Sequence, residues 1–211
     1  MKDVNDEDES EDVPLAPAPP NGPKARRGAK KGKARAPLVA RIKRLQLIAM
    51  DVDGVLTDGT ILLSPSGEEL KGFSSRDGIG LKCLHLAGLD SAFVTARGSP
   101  AVEQRARELG VRYVVLNSKN KGEALRQLCT RRGIGLDEAA FIGDDLQDLS
   151  AMALAGVAVT VRDAPREVRA RADVITEARG GEGAVREAID RILKAQGKFE
   201  AVVKHFLDQA S

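Results

Sequence analysis

The sequence predicts an α/β fold, a doubly wound, Rossmann-like parallel sheet with a small β-hairpin flap. Three observations predict it. Short apolar, β-rich runs alternate with helix-period segments, two further runs flank a Pro-Ser-Gly turn, and 211 residues with 42% hydrophobic content supply enough chain for one core. Such an order reads as repeated βαβ units, which form a parallel sheet with helices on both faces.

The elements follow in chain order. Residues 1–40 form a leader, acidic at first and then rich in proline and basic residues. Residues 1–44 hold eleven Lys/Arg, seven Asp/Glu and six of the nine prolines, so the remainder of the chain carries a charge of −2. With mostly Ala and Pro as apolar residues, the leader cannot bury enough surface to offset its ordering entropy, and disorder is expected there. Strands are expected at Gln46–Met50, Ser91–Thr95, Arg112–Leu116, Ala139–Ile142 and Val157–Val161, with a weaker one at Asp173–Ile175. Between them lie helices at Gly78–Ala87, Pro100–Leu109, Lys121–Arg132, Leu146–Ala155 and Arg166–Ala172, followed by Gly183–Ala195 and Lys198–Ala210. Thr60–Leu63 and Glu68–Phe73 around Pro65-Ser66-Gly67 form the hairpin.

Composition excludes several classes. No apolar run approaches the roughly 18 residues of a membrane span, and the acidic start is unlike a secretory signal, so a cytoplasmic protein without membrane association is expected. Cys83 and Cys129 lack metal-ligand spacing and are expected to be reduced and buried.

Polar residues gather at the predicted strand ends, where ligands of such sheets bind. The first strand runs into Asp51-Val52-Asp53-Gly54, a pair of carboxylates two residues apart before a glycine that permits a sharp turn. Two such charges are costly without a cation between them, and Mg²⁺, held by carboxylates together with substrate phosphate, answers that need. The second strand ends in Thr95-Ala96-Arg97, which offers a hydroxyl, a backbone N–H and a guanidinium. Lys121 opens a helix after the third strand, and Gly143-Asp144-Asp145-Leu146-Gln147-Asp148 follows the fourth. Taken singly these are a turn, a strand residue and a solvated helix end; their order delivers all of them to one rim.

DVDGVLTDG, FVTAR, Lys121 and GDDLQD resemble, in order, the four motifs of the haloacid dehalogenase-like phosphohydrolases, over nearly all of residues 45–197. Gly67–Leu84 and Gly180–Lys198 further resemble the family of phosphatases acting on 3-deoxy-D-manno-octulosonate (Kdo) 8-phosphate, a precursor of lipopolysaccharide. The resemblance implies a Mg²⁺-dependent phosphatase domain over 45–211 with Asp51 as nucleophile and Asp53 as general acid and base. It places the metal on Asp51, the Asp53 carbonyl and Asp144. It assigns phosphoryl contacts to Thr95, the Ala96 N–H and Lys121, orientation of Lys121 or a metal-bound water to Asp145, and a helix-capping or orienting role to Asp148. Substrate contacts map onto Ser74, Ser75, Arg76, Asp77, Gly78, Lys82, Arg97 and Arg105, besides Asp53 and Lys121.

The spacing leaves no room for the separate cap domain of many relatives. Relatives of this capless kind are homotetramers in which hairpins associate and the C-terminal tail covers a neighbour's site, so the glycine-rich GGEGA is expected to act as a flexible lid or as a simple loop. Four positions depart from the pattern: Ala96 stands where glycine is usual, LNSKNK replaces the usual stretch before the lysine, Lys82 replaces an arginine, and Glu182 stands where a basic residue is common. The second leaves Lys119 and Lys121 as alternatives, with spacing to the following helix favouring Lys121. Sialic-acid and Kdn 9-phosphate phosphatases share much of these motifs and are the alternatives within the chemistry. The alternative from another class is a non-catalytic binding protein whose basic leader contacts nucleic acid or a protein.

Overall fold

The structure, a computed structural model, describes residues 36–208. Most of the leader therefore lies outside the described residues. Its end departs from expectation: Leu38–Ile42 form a helix, α1, where disorder was expected to extend to residue 40. The helix is held by tertiary partners that no local reading contains. Arg41 donates to both Asp173 oxygens, at 2.8 and 2.7 Å, and to the Gly156 carbonyl at 2.8 Å, while Ile42 is buried in the core.

Six parallel strands form the main sheet: β1 (Leu47–Met50), β4 (Asp90–Val94), β5 (Tyr113–Val115), β6 (Ala139–Gly143), β7 (Val157–Thr160) and β8 (Val174–Ile175), in the order β5-β4-β1-β6-β7-β8. Between β1 and β4 comes an antiparallel hairpin of β2 (Leu62–Leu63) and β3 (Glu69–Leu70), shorter than predicted. Side chains of β1 alternate between two cores, as a pleated strand buried on both faces requires. Ile48 and Met50 pack with α2 (Ser75–Leu86), α3 (Pro100–Leu109) and α7 (Ala184–Ala195). Leu47 and Ala49 pack with α4 (Lys121–Arg132) and α5 (Leu149–Met152). The doubly wound architecture is thus the one predicted. A short α6 (Arg166–Arg169) and a terminal α8 (Phe199–Asp208) complete it, and no helix among the described residues is long and apolar enough to cross a membrane.

Two helix boundaries differ from prediction for physical reasons. Helix α2 starts at Ser75 rather than Gly78 because its glycines serve packing rather than a stop signal. A Cβ at Gly78 would lie 2.6 Å from an Arg105 nitrogen on α3, and one at Gly80 would lie 3.0 Å from the Arg186 Cα on α7. The predicted helix Leu146–Ala155 instead opens as a 3₁₀ turn over Leu146–Asp148, because the Asp145 and Asp148 side chains accept backbone N–H groups there.

Register then positions the rim. Met50 pairs with Phe93 of β4 and with Ile142 of β6. The residues just beyond these, Asp51, Thr95 and Asp144, therefore leave the sheet at nearly one level.

Candidate active site

At the carboxyl edge of β1, Asp51 is 1% exposed and one of its oxygens accepts the Val52 N–H at 2.7 Å. Across from it Lys121, the first residue of α4, is held in place by its cap. Asn120 accepts the Glu123 N–H at 3.0 Å, so the helix begins with the lysine side chain aimed at the strand ends. The Lys121 ammonium is 2% exposed, pairs with Asp51 and donates to Asp148 at 2.6 Å. Lys119 is exposed, so Lys121 is the lysine of the cluster.

Asp148 is fully buried, and its second oxygen accepts the N–H groups of Asp144 at 2.9 Å and Asp145 at 3.1 Å. Asp148 thus keeps its expected capping role, closing a capping box with Asp145, and also makes the contact with Lys121 that was expected of Asp145. Asp148 orients Lys121, whereas Asp145 is exposed and accepts the Leu146 N–H at 2.6 Å, capping the turn.

Carboxylate oxygens of Asp51, Asp144 and Asp148 lie within 4.8 Å of one another. Gly54, at φ +82°, makes room for them: a Cβ there would sit 2.1 Å from Asp144 Oδ2. Burial first, and then the charge of Asp148, push the Asp51 carboxyl up to about 6, although Lys121 counteracts. Burial, followed by the charges of Asp148 and Asp51, pushes Asp144 up to about 8. Burial also works against the Lys121 ammonium, but Asp51 and Asp148 more than offset it and its pKa ends above the usual lysine value.

Three acids around one ammonium leave negative charge uncompensated, and the Asp144 Oδ1 atom is buried without a hydrogen-bond partner. Both facts fit a hard divalent cation such as Mg²⁺. Because both Asp148 oxygens are committed, Asp51 and Asp144 are the side chains left to hold it.

Thr95, 2% exposed, sits at the end of β4 with its hydroxyl accepting the Arg97 N–H at 3.1 Å. The exposed Ala96 lines, with Lys119, Lys121 and Gln147, a cavity of about 550 Å³. Asp53, half-buried, pairs through one oxygen with Lys71, while the Arg97 Nε lies 4.0 Å from the other. Lys71 falls within the stretch Gly67–Leu84 that carries the resemblance, but no role was expected of it there. Its only signal was alternation, which sets Glu69 and Lys71 on one side of the second hairpin strand.

The predicted substrate contacts divide. Ser74, Ser75 and Arg76 line a cavity of about 790 Å³ beside Asp58, Phe73 and Glu182. Arg97 turns to Glu69 at 2.7 Å. Arg105 lies 5.8 Å from the Phe73 ring and 3.3 Å from Glu108, bordering a second cavity with Lys71. Asp77 and Gly78 are buried between helices instead. The Asp77 carboxylate accepts the Arg186 N–H at 2.8 Å, in the first turn of α7, and it is not among the residues that line the cavity. Lys82 is not brought to the cluster; it lies on the exposed face of α2 beside His205 and Phe206 of α8.

The glycine tail is not a free lid. The Gly181 N–H donates to the Val55 carbonyl at 3.0 Å. A Cβ at Gly180 would lie 1.8 Å from the Gly54 carbonyl oxygen. The turn is wedged against the loop that follows Asp53 in its own chain.

Comparisons with known proteins point to one family. A family described as haloacid dehalogenase-like hydrolase matches residues 114–189. The 3-deoxy-D-manno-octulosonate 8-phosphate phosphatase KdsC of Escherichia coli (strain K12) is 39% identical over 169 residues, which is 80% of this chain and 90% of that protein. Among solved structures, the 3-deoxy-D-manno-octulosonate 8-phosphate phosphatase of Moraxella catarrhalis, in complex with magnesium ion, phosphate ion and KDO, is 42% identical. It aligns with a TM-score of 0.78 over 80% of this chain and 97% of its own. The cobalt-bound deoxy-D-mannose-octulosonate 8-phosphate phosphatase of Haemophilus influenzae is 38% identical, with a TM-score of 0.74 over 76% of this chain and 94% of its own.

Proposed function

This chain belongs to the 3-deoxy-D-manno-octulosonate 8-phosphate phosphatase family of haloacid dehalogenase-like hydrolases, and from that premise we propose how its residues divide the work of hydrolysing Kdo 8-phosphate to Kdo and phosphate. The observation that carries the reading is the buried cluster of Asp51, Lys121, Asp144 and Asp148 at the carboxyl edge of β1 and β6. We assign the chemistry to the domain over residues 45–211 and none of it to the leader.

Asp51 is the nucleophile. Its carboxylate oxygen forms a bond to phosphorus as the bond from phosphorus to the sugar oxygen breaks, giving an aspartyl-phosphate. Asp53 gives its proton to the departing sugar oxygen and then takes one from the water that attacks phosphorus, which returns the Asp51 carboxylate and frees phosphate. Lys121, Thr95 and the Ala96 N–H hold the phosphoryl oxygens where negative charge develops. Asp148 holds Lys121 in position. Asp51, the Asp53 carbonyl and Asp144 would hold Mg²⁺, which neutralises phosphate charge and draws it toward the nucleophile. Ser74, Ser75, Arg76, Arg97 and Arg105 line the mouth that receives the sugar acid.

The enzyme works in the cytoplasm. Its two cysteines, buried and unpaired, suit a reducing compartment. It works as a homotetramer, supported by the exposed apolar hairpin residues Ile61, Leu62, Leu63 and Leu70.

Phosphate release from Kdo 8-phosphate tests the reading, with Mg²⁺ or EDTA and with Asp51→Asn, which keeps shape and removes the nucleophile. Release should need the metal and fall on the order of 10³-fold or more in the variant. Turnover of an aryl phosphate with none of Kdo 8-phosphate would keep the chemistry and remove the substrate assignment, leaving sialic-acid and Kdn 9-phosphates to be compared.

A further inference from the structure

The Lys71 side chain is 2% exposed, although it sits on a two-stranded hairpin whose neighbouring Leu70 is 55% exposed. Its ammonium bridges Asp53 and Glu69. The other Glu69 oxygen accepts from Arg97 at 2.7 Å, and Arg97 closes the ring at 4.0 Å from Asp53. Four charges of alternating sign thus form a circuit at the site mouth. Burial opposes the Lys71 charge, but Asp53 and Glu69 more than offset it. The Lys121 ammonium is already taken up by Asp51 and Asp148 on the other side of the nucleophile.

A short Asp side chain on a loop can point several ways, and general acid catalysis needs its proton within hydrogen-bond reach of the leaving oxygen. We propose that Lys71 is a positioning residue which, braced by Glu69, fixes the direction of the Asp53 carboxyl and so ties the hairpin to leaving-group protonation. The proposal rests on the acid–base role given to Asp53 above. It does not require that Kdo 8-phosphate be the substrate.

The dependence on leaving group tests it, because an alkyl oxygen must be protonated as it departs whereas a p-nitrophenolate leaves readily without help. The Mg²⁺-loaded full-length enzyme and Lys71→Met are compared on Kdo 8-phosphate and on p-nitrophenyl phosphate. For the sugar phosphate, kcat should fall about tenfold or more, a part of the 10²–10⁴ that acid–base catalysis contributes, with KM nearly unchanged. The aryl phosphate should lose much less. In an Asp53→Asn background, adding Lys71→Met should change neither rate, and Lys71→Arg should restore part of the sugar-phosphate rate.

Equal losses on both substrates, a KM increase at constant kcat, or a further loss in the Asp53→Asn background would each overturn the proposal. Should Lys71→Met fail to fold, Glu69→Gln, which frees one side of the ammonium, is read by the same criteria. A wild-type enzyme idle on Kdo 8-phosphate but active on p-nitrophenyl phosphate would mark an error in the substrate alone. The alkyl arm would then run on 2-glycerol phosphate.

Discussion

The proposed chemistry needs Asp51 and Asp144 as carboxylates, yet the fold disfavours their charge, raising them from 3.8 to about 6 and about 8. A group whose native pKa lies above its unfolded value stabilises fully below the unfolded value and ceases to do so as pH rises through the native one. In EDTA, the urea midpoint of this protein should therefore fall as pH rises from about 4 to about 8 and level off above. Mg²⁺ should flatten that fall, because it binds the ionised forms, and its affinity should climb over the same window with proton release. A midpoint in EDTA that stays constant from pH 5 to pH 8.5 would refute the account, and calorimetry in two buffers counts the protons. Much of this residue-scale chemistry was legible. Asp51, Asp53, Lys121 and Asp144 stand where the motif spacing put them. The capping role of Asp148 was legible, but its contact with Lys121 was not, because that contact depends on a 3₁₀ turn where a helix was predicted. Lys71 was missed because alternation along the predicted run Glu68–Phe73 does not show which of its sides faces a site.

At the scale of elements, glycine and aspartate misled for the same reason: their roles are set by what packs against them. Gly78 read as the helix start, but it and Gly80 are points of close contact for α3 and α7. Asp77 read as a substrate contact but satisfies the first N–H groups of α7, where a negative charge is also favoured by the helix dipole. Asp77→Ala should cost about 1–2 kcal/mol, as the loss of a helix cap does, and lower the melting temperature by about 2–4 °C per kcal/mol for a domain of this size. Asp77→Asn, which keeps an acceptor, should cost less. Because α7 follows directly from the Gly180–Gly183 turn, Asp77→Ala should also lower kcat. Unchanged melting with a raised KM would return Asp77 to the substrate. The α1 helix lay beyond sequence reading, since the residues that hold it, Gly156 and Asp173, are more than a hundred positions away.

At the scale of the molecule, the fold was the most legible part, because six short apolar runs separated by helical segments admit few arrangements besides a doubly wound sheet. Among the apolar surfaces that one chain leaves uncovered is the hairpin, where Leu62 and Leu70 are cross-strand partners, 52% and 55% exposed. If other copies cover it, sedimentation should give four times the 22.5 kDa chain mass, and Leu62→Lys with Leu70→Lys should yield smaller species. A single-chain mass for the wild type would remove the tetramer. The strand order carries one more consequence. The strand that runs into Asp51 lies between β4 and β6, has Asp144 delivered to it just beyond β6, and is followed by a loop braced by a turn at Gly180 and Gly181. A ribosome delivers these parts in the order Asp51, Asp144 and then Gly180. On the proposed chemistry, the growing polypeptide therefore carries Asp51 without its acidic partner until the residue after β6 has followed, and activity waits for that residue.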